Sequence, residues 1–281
     1  MRSRETFQRI TYRIEVLEHW ISGRRNGVSS FELLRFLTAR SSVSRAKQVI
    51  EHVSREGNFF VVTLKGLEHP LYYPAELPLT SLYMPVSQIL CPPDWHEYEV
   101  GQTFVRPEDV VIDCGSAEGL FSLIVCGRCE RVYAIEPLPR FVEALGFTFK
   151  DIDNVEVVPC ALSDRVGQGH LSNRDMASTL CHDEESELTV PLDTIDELFF
   201  SKGEKVDYIK ADVEGSEIEM LHGGERTIRE YTPRIAITTY HCERHAREID
   251  AFLRGLDVGY KTVCSGIEGK WGGPKMLHAW V

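Results

Sequence analysis

The rhythm of apolar positions changes near residue 100. Before that point they recur every three or four residues. Phe7, Ile10, Ile14, Leu17 and Ile21 share one face and predict an amphipathic helix, closed by Gly23 and Gly27. Ser29 and Glu32 have the spacing of a capping box and open a second helix through Phe31, Leu34 and Leu37. Val43, Ala46, Ile50 and Val53 predict a third that stops at Gly57. FFVVTL at 59–64 reads as a short β segment, and the proline-rich stretch 70–93 as mostly irregular chain.

Beyond residue 100 short apolar, β-branched runs alternate with helical patterns. VVIDCG (110–115), RVYAIE (131–136), VEVVPC (155–160), LTVPLD (188–193), VDYIKA (206–211) and PRIAITTYH (233–241) read as strands, and 258–263 and 276–281 as two closing strands. This alternation predicts an α/β fold, a largely parallel sheet covered by helices on both faces. Ligands of such sheets bind beyond the carboxyl ends of the strands, where strand order reverses. The expected division is a mainly helical cap region at 1–95 and an α/β domain at 96–281. The N-terminal helices need something to bury against, so they are expected to cap the site or to form a homodimer contact.

Composition narrows the classes. At 281 residues and 43% hydrophobic the chain can bury a large core. A net charge of -12 argues against a partner bound along its phosphates, so no nucleic acid is expected. No apolar run is long enough to span a membrane, and the charged start MRSRETFQRITYRIEV lacks the form of a signal peptide; a cytoplasmic location is expected. Cys126 and Cys129 form a CxxC, read as two incidental thiols at a helix end, while Cys114, Cys160 and Cys264 fall in apolar stretches and read as buried.

The candidate chemistry gathers at strand ends. The first strand of the sheet runs into Asp113, Gly115, Ser116, Ala117 and Gly119, a glycine turn that lets backbone approach a ligand. Glu136 ends the second strand, roughly 20 residues on, where an acid accepts ribose hydroxyls. A dinucleotide fingerprint places a glycine where this chain has Ala117, to make room for a pyrophosphate. The turn therefore favours S-adenosylmethionine over a nicotinamide dinucleotide, which stays as the alternative. Asp113 is expected to hold the amino-acid tail, directly or through water. Cys160, Ala161 and Leu162 follow the third strand and are placed to wall the adenine.

These motifs carry a family likeness. VVIDCGSAEGLFSL, VYAIEPLP, VPCALSD, VPLDTIDEL, VDYIKADVEGSEIEMLHGG and PRIAITTYH, in that order, resemble the FkbM family of S-adenosylmethionine-dependent methyltransferases, over roughly residues 96–281. IKxDxEGxE, from Ile209 to Glu217, is the most specific piece. The resemblance implies a Rossmann-like class I methyltransferase sheet with an antiparallel last strand, and methylation of a hydroxyl on a sugar or natural-product small molecule. The pair Ser116-Ala117 departs from the Ala-Asn common at this place in the family.

Methyl transfer needs alignment of nucleophile, methyl and sulfur, and a hydroxyl must also lose its proton. Asp212 and His241, at the ends of neighbouring strands, are the candidates for orienting and deprotonating the acceptor, with His as a base near neutral pH. Which of them is the base stays open, as does methylation of an amine instead of a hydroxyl. Glu214 is expected to face the site and Glu217 to brace the turn at a helix start. Asp212, Glu214 and His241 have the donor chemistry of a divalent-metal set, but no further ligand motif points to one, and no metal is expected. Tyr240 reads as core or as an acceptor wall, His245 as surface, Ser178 and Thr179 as loop residues, and His182 with the acidic run 183–187 as a solvated loop.

Overall fold

The computed structural model describes residues 2–91, 93–171, 180–181 and 188–281. Ser178, Thr179, His182 and the acidic run 183–187 lie outside them.

The N-terminal region begins with α1 (Arg2–Ile21), α2 (Ser30–Thr38) and α3 (Ser42–Val49). The capping box forms: the Ser29 side chain accepts from the Glu32 amide, and Glu32 accepts from the Ser29 backbone. The third helix ends earlier than its apolar spacing suggests. Residues 50–56 are a strand, β1 (Ile50–Glu56), which pairs antiparallel with β2 (Phe59–Leu64) around a turn with Gly57 at φ 57°. Cross-strand pairs such as Val53 with Val62 outweigh the helical spacing. The proline-rich stretch is also more regular than expected. It forms β3 (Leu71–Pro74), which completes a three-stranded sheet, and α4 (Leu79–Leu90), whose buried Leu82 and Val86 hold it down despite Pro85.

The orientation of α1 corrects a further expectation. Phe7, Ile10, Ile14 and Ile21 are exposed. The face that packs instead carries Tyr12 and Val16, against Phe36, Trp95 and Ile267. Polar contacts reinforce that choice: Tyr12 donates to Glu268, His19 Nε2 lies 2.9 Å from the Gly269 carbonyl, and Arg24 donates to the Trp271 carbonyl.

The second region contains β4 (Val110–Cys114), α5 (Leu120–Val125), β5 (Arg131–Ile135), α6 (Pro139–Thr148), β6 (Val155–Val158), β7 (Ala161–Leu162), β8 (Gly167–Leu171), β9 (Leu180–Cys181), β10 (Leu188–Asp193) and α7 (Ile195–Leu198). It continues with β11 (Tyr208–Ala211), α8 (Glu217–His222), α9 (Glu225–Tyr231), β12 (Arg234–Thr238), α10 (His245–Gly255), β13 (Lys261–Ser265) and β14 (Met276–Trp280). The central sheet has the order β13-β14-β12-β11-β4-β5-β6. Its strands run parallel except β14, which inserts antiparallel between β12 and β13. β7, β10, β8 and β9 form a separate small sheet.

Two apolar layers flank the central sheet. On one side Ile112, Ile209, Ile235 and Ile237 pack against Met220, Leu221, Ile249 and Leu253. On the other, Val111, Tyr208 and Ala236 meet Phe121 and Val125. Strand order reverses at β4, which has β5 on one side and β11 on the other. The segments that follow β4 and β11 therefore open into one cleft.

Candidate active site

A cavity of about 430 Å³ lies over this reversal, within the range of small-molecule sites. Its floor is the turn after β4. Gly115 takes φ 70°, and a Cβ there would lie 2.0 Å from the Asp212 carbonyl, so glycine is what lets the ends of β4 and β11 meet. The amides of Gly115 and Ser116 both donate to the Ile135 carbonyl at 3.0 Å, which ties the turn to β5. Ala117 sits at φ 45° without being glycine.

Gly115, Ser116 and Ala117 line the cavity, as do Glu136, Cys160, Ala161 and Leu162. Gly119 does not: it heads α5, and a Cβ there would meet Leu145 at 2.4 Å, so it serves helix packing. Glu136 is buried at the end of β5 and accepts from the amides of Ala117 and Leu138, each at 2.9 Å. Burial pushes its carboxyl up to about 7 against those two donors. A largely buried acid, held by backbone at the cavity edge, suits a ligand that supplies hydroxyl donors.

Asp113 departs from expectation. Its side chain is wholly buried beneath the turn, 2.8 Å from Lys210 Nζ, and accepts from Ser122 at 2.7 Å. Lys210 also donates to the Gly115 carbonyl at 2.6 Å. Burial works against its charge, but the Asp113 carboxylate prevails and raises its pKa. Asp113 therefore fixes the turn through Lys210 and is not free to hold a ligand's tail.

The opposite end of the cavity centres on Asp212, which follows β11. Its carboxylate accepts from Tyr98 and Thr238 at 3.1 Å and from Tyr240 at 3.3 Å. The Tyr98 hydroxyl has one hydrogen and gives it to Asp212, so its oxygen accepts from His96 Nε2 at 2.6 Å. Burial drives His96 down to about 4, and it stays a neutral imidazole at neutral pH. Met84, Pro85, Gln88 and Ile89 of α4 wall this end, together with Glu214, Glu268 and Lys275.

His241 is not placed to be a base. It stands behind the cavity lining, with Nδ1 2.8 Å from Glu217 and Nε2 3.3 Å from Glu214 and 3.6 Å from Asp212. Burial alone would lower its pKa, but the close pairing with Glu214, the hydrogen bond to Glu217 and the charge of Asp212 win and raise it to about 11. It is an imidazolium across the neutral range, with no lone pair to accept a proton. Glu217 is its counter-charge. Burial opposes the ionisation of Glu217, yet His241 and His245 hold its carboxyl well below the usual range. His245, expected at the surface, is buried 3.2 Å from Glu217. Glu217 also accepts from the amides of Val213 and Gly215 at 3.3 and 3.4 Å, bracing the turn in which Glu214 takes φ 53°.

Asp212, Glu217 and His241 offer ligand atoms within 4.8 Å of one another, the geometry of a candidate cation site. One imidazolium offsets only part of the negative charge of Asp212, Glu214 and Glu217 around it. The CxxC thiols lie buried around the end of α5, and burial pushes Cys129 up to about 12, away from reactive thiolate chemistry. His96, Tyr98, Glu118 and Lys210 escaped the sequence reading. Lys210 alone carried a signal there: a lysine inside a buried strand requires a counter-charge.

The family profile described as the FkbM methyltransferase domain matches residues 113–262, just over half of the chain. The chain belongs to the FkbM family of S-adenosylmethionine-dependent methyltransferases. Among solved structures it is similar to the FkbM methyltransferase of Methylobacillus flagellatus KT, at 21% identity and a TM-score of 0.50, over 64% of this chain and 45% of that one. The chain thus spans less than half the length of that relative. Similarity extends to the precorrin-8w decarboxylase of Methanobacterium thermoautotrophicum (19% identity, 63% of this chain, 83% of that one, TM-score 0.39). It extends also to Aeropyrum pernix fibrillarin, solved with natively bound S-adenosyl-L-methionine (17% identity, 83% and 99%, TM-score 0.40). No curated protein matches the chain. The sheet order and its one antiparallel strand agree with the class I methyltransferase fold, and FkbM membership displaces the nicotinamide alternative. No helix among the described residues is long and apolar enough to cross a membrane.

Proposed function

We propose that this FkbM protein transfers a methyl group from S-adenosylmethionine to a hydroxyl of a small molecule, a sugar or a natural-product scaffold, with Asp212 as the base. The observation that carries the reading is Asp212: a carboxylate on the cavity wall, oriented by three hydroxyl donors and beside the glycine turn. The cofactor fits the residues present, with Glu136 to receive the ribose hydroxyls and Cys160, Ala161 and Leu162 to wall the adenine. When bound, it supplies an electrophilic methyl group. Asp212 then accepts a hydrogen bond from the acceptor hydroxyl and takes its proton as the oxygen attacks, while Tyr98, Tyr240 and Thr238 fix its orientation. His241 keeps Glu214 and Glu217 in place by charge. Residues 1–95 close the acceptor side, through α4 on the cavity wall and through α1 on the loop that carries Glu268.

The experiment is transfer of labelled methyl from S-adenosylmethionine to a panel of sugars, polyols and hydroxylated small molecules, with primary amines alongside. Labelled ether products support the reading. Labelled amines alone would replace it with N-methylation, which the acidic Glu214 and Glu268 would suit. Cofactor binding without transfer to any class would leave a binding module.

A further inference from the structure

Glu118 has no role in the account above. It lies in the turn after β4, is 4% exposed and lines the cavity. Among the described residues no other side chain hydrogen-bonds to it or pairs with it; its one donor is its own backbone amide. Burial pushes its carboxyl up to about 7. An unpaired carboxylate this deep is costly in the free protein and is relieved by a cationic ligand group. The turn lies between Glu136 and Asp212, so a cofactor with its ribose at Glu136 and its methyl group toward Asp212 would lay its amino-acid tail along it. Asp113, the acid that sequence reading nominates for that tail, is withdrawn beneath the turn by Lys210.

We infer that Glu118 is the carboxylate that receives the α-ammonium of the cofactor's methionine tail. This rests on the methyltransferase reading of the cavity. Ammonium favours the ionised carboxylate, so binding near neutral pH releases a proton from Glu118, and affinity rises as pH increases through about 7. Of the charged groups that face Glu118, Lys210 favours its ionisation and Asp113 and Asp212 oppose it. Glu136, also pushed up to about 7, is a second source of protons at the same end.

The test is calorimetric titration of the full chain with S-adenosylhomocysteine and with 5′-methylthioadenosine, which lacks the tail, in buffers of different ionisation enthalpy. Wild type, Glu118→Gln and Glu136→Gln are compared. Glu118→Gln is expected to weaken S-adenosylhomocysteine roughly tenfold to a hundredfold, to leave 5′-methylthioadenosine unchanged, and to remove one component of the proton release. Glu136→Gln retains that component. Thermal unfolding of Glu118→Gln is expected at or above the wild-type temperature, because the variant removes an unpaired buried acid. Equal losses for both ligands, or no loss for either, overturn the inference. Wild-type protein that binds neither ligand defeats the cofactor reading itself and this inference with it.

Discussion

The two ends of the cavity are built differently. The proposed cofactor end is made largely of backbone and of short contiguous segments: a glycine turn after β4, an acid at the end of β5, and the apolar Cys160, Ala161 and Leu162. The proposed acceptor end is made of side chains from distant parts of the chain: α4, Tyr98, Asp212, Tyr240 and Glu268. Backbone geometry is fixed by which residues tolerate which φ, and it is written locally. Side-chain electrostatics depends on what the fold brings alongside, and the same residue types change roles with it. His241 and His96 make the point: three carboxylates hold the first as a cation near neutral pH, and burial keeps the second neutral.

If the two ends are separable, variants at the acceptor end will change turnover and leave cofactor affinity alone. The largest effect is expected for Asp212→Asn, which removes the proposed base: turnover falls by roughly 10²–10⁴-fold with S-adenosylhomocysteine affinity nearly unchanged, read by methyl transfer and calorimetry on the same samples. A matching loss of affinity would dissolve the distinction. Next is Glu217→Gln, which strips the buried counter-charge from His241. Its cost is about 3–5 kcal/mol of unfolding free energy, measured by denaturant titration.

The same pair sets a pH dependence. Glu217 is depressed, so its contribution is present above the ordinary carboxylate pKa of about 4.3 and is lost as pH falls below it. His241 is raised to about 11, so its contribution is complete below the ordinary imidazole pKa of about 6.5 and declines as pH climbs from there. Denaturation at a series of pH values is expected to show stability falling on both sides of that window, with the alkaline slope missing in His241→Gln. A smaller effect belongs to Tyr98→Phe, which deletes one hydrogen bond to the Asp212 carboxylate and is expected to slow turnover about tenfold without changing affinity.

What sequence reading recovered follows the same division. The parallel sheet, its antiparallel last strand and the glycine turn were legible because β-branched runs, glycines and the FkbM motifs lie in order along the chain. The α3–β1 boundary was not, because Ile50 and Val53 satisfy a helical spacing as well as a strand, and pairing with β2 decides between them. The buried face of α1 was not, because it is chosen by the loop at 266–272, more than two hundred residues away. Asp113 and His241 were read as free chemical groups. Each is instead occupied by a partner, Lys210 and Glu217 respectively, that only the folded sheet brings within reach.

The central claim is that the cavity is an S-adenosylmethionine site anchored at Glu136. The most direct measurement is calorimetric titration of wild type and Glu136→Ala with S-adenosylhomocysteine, with NAD as the control. Binding of S-adenosylhomocysteine but not of NAD is expected for wild type, and a loss of at least about a hundredfold for the variant, which gives up charged acceptors worth roughly 1.5–3 kcal/mol each. Unchanged affinity in Glu136→Ala, or binding of NAD in place of S-adenosylhomocysteine, would contradict it.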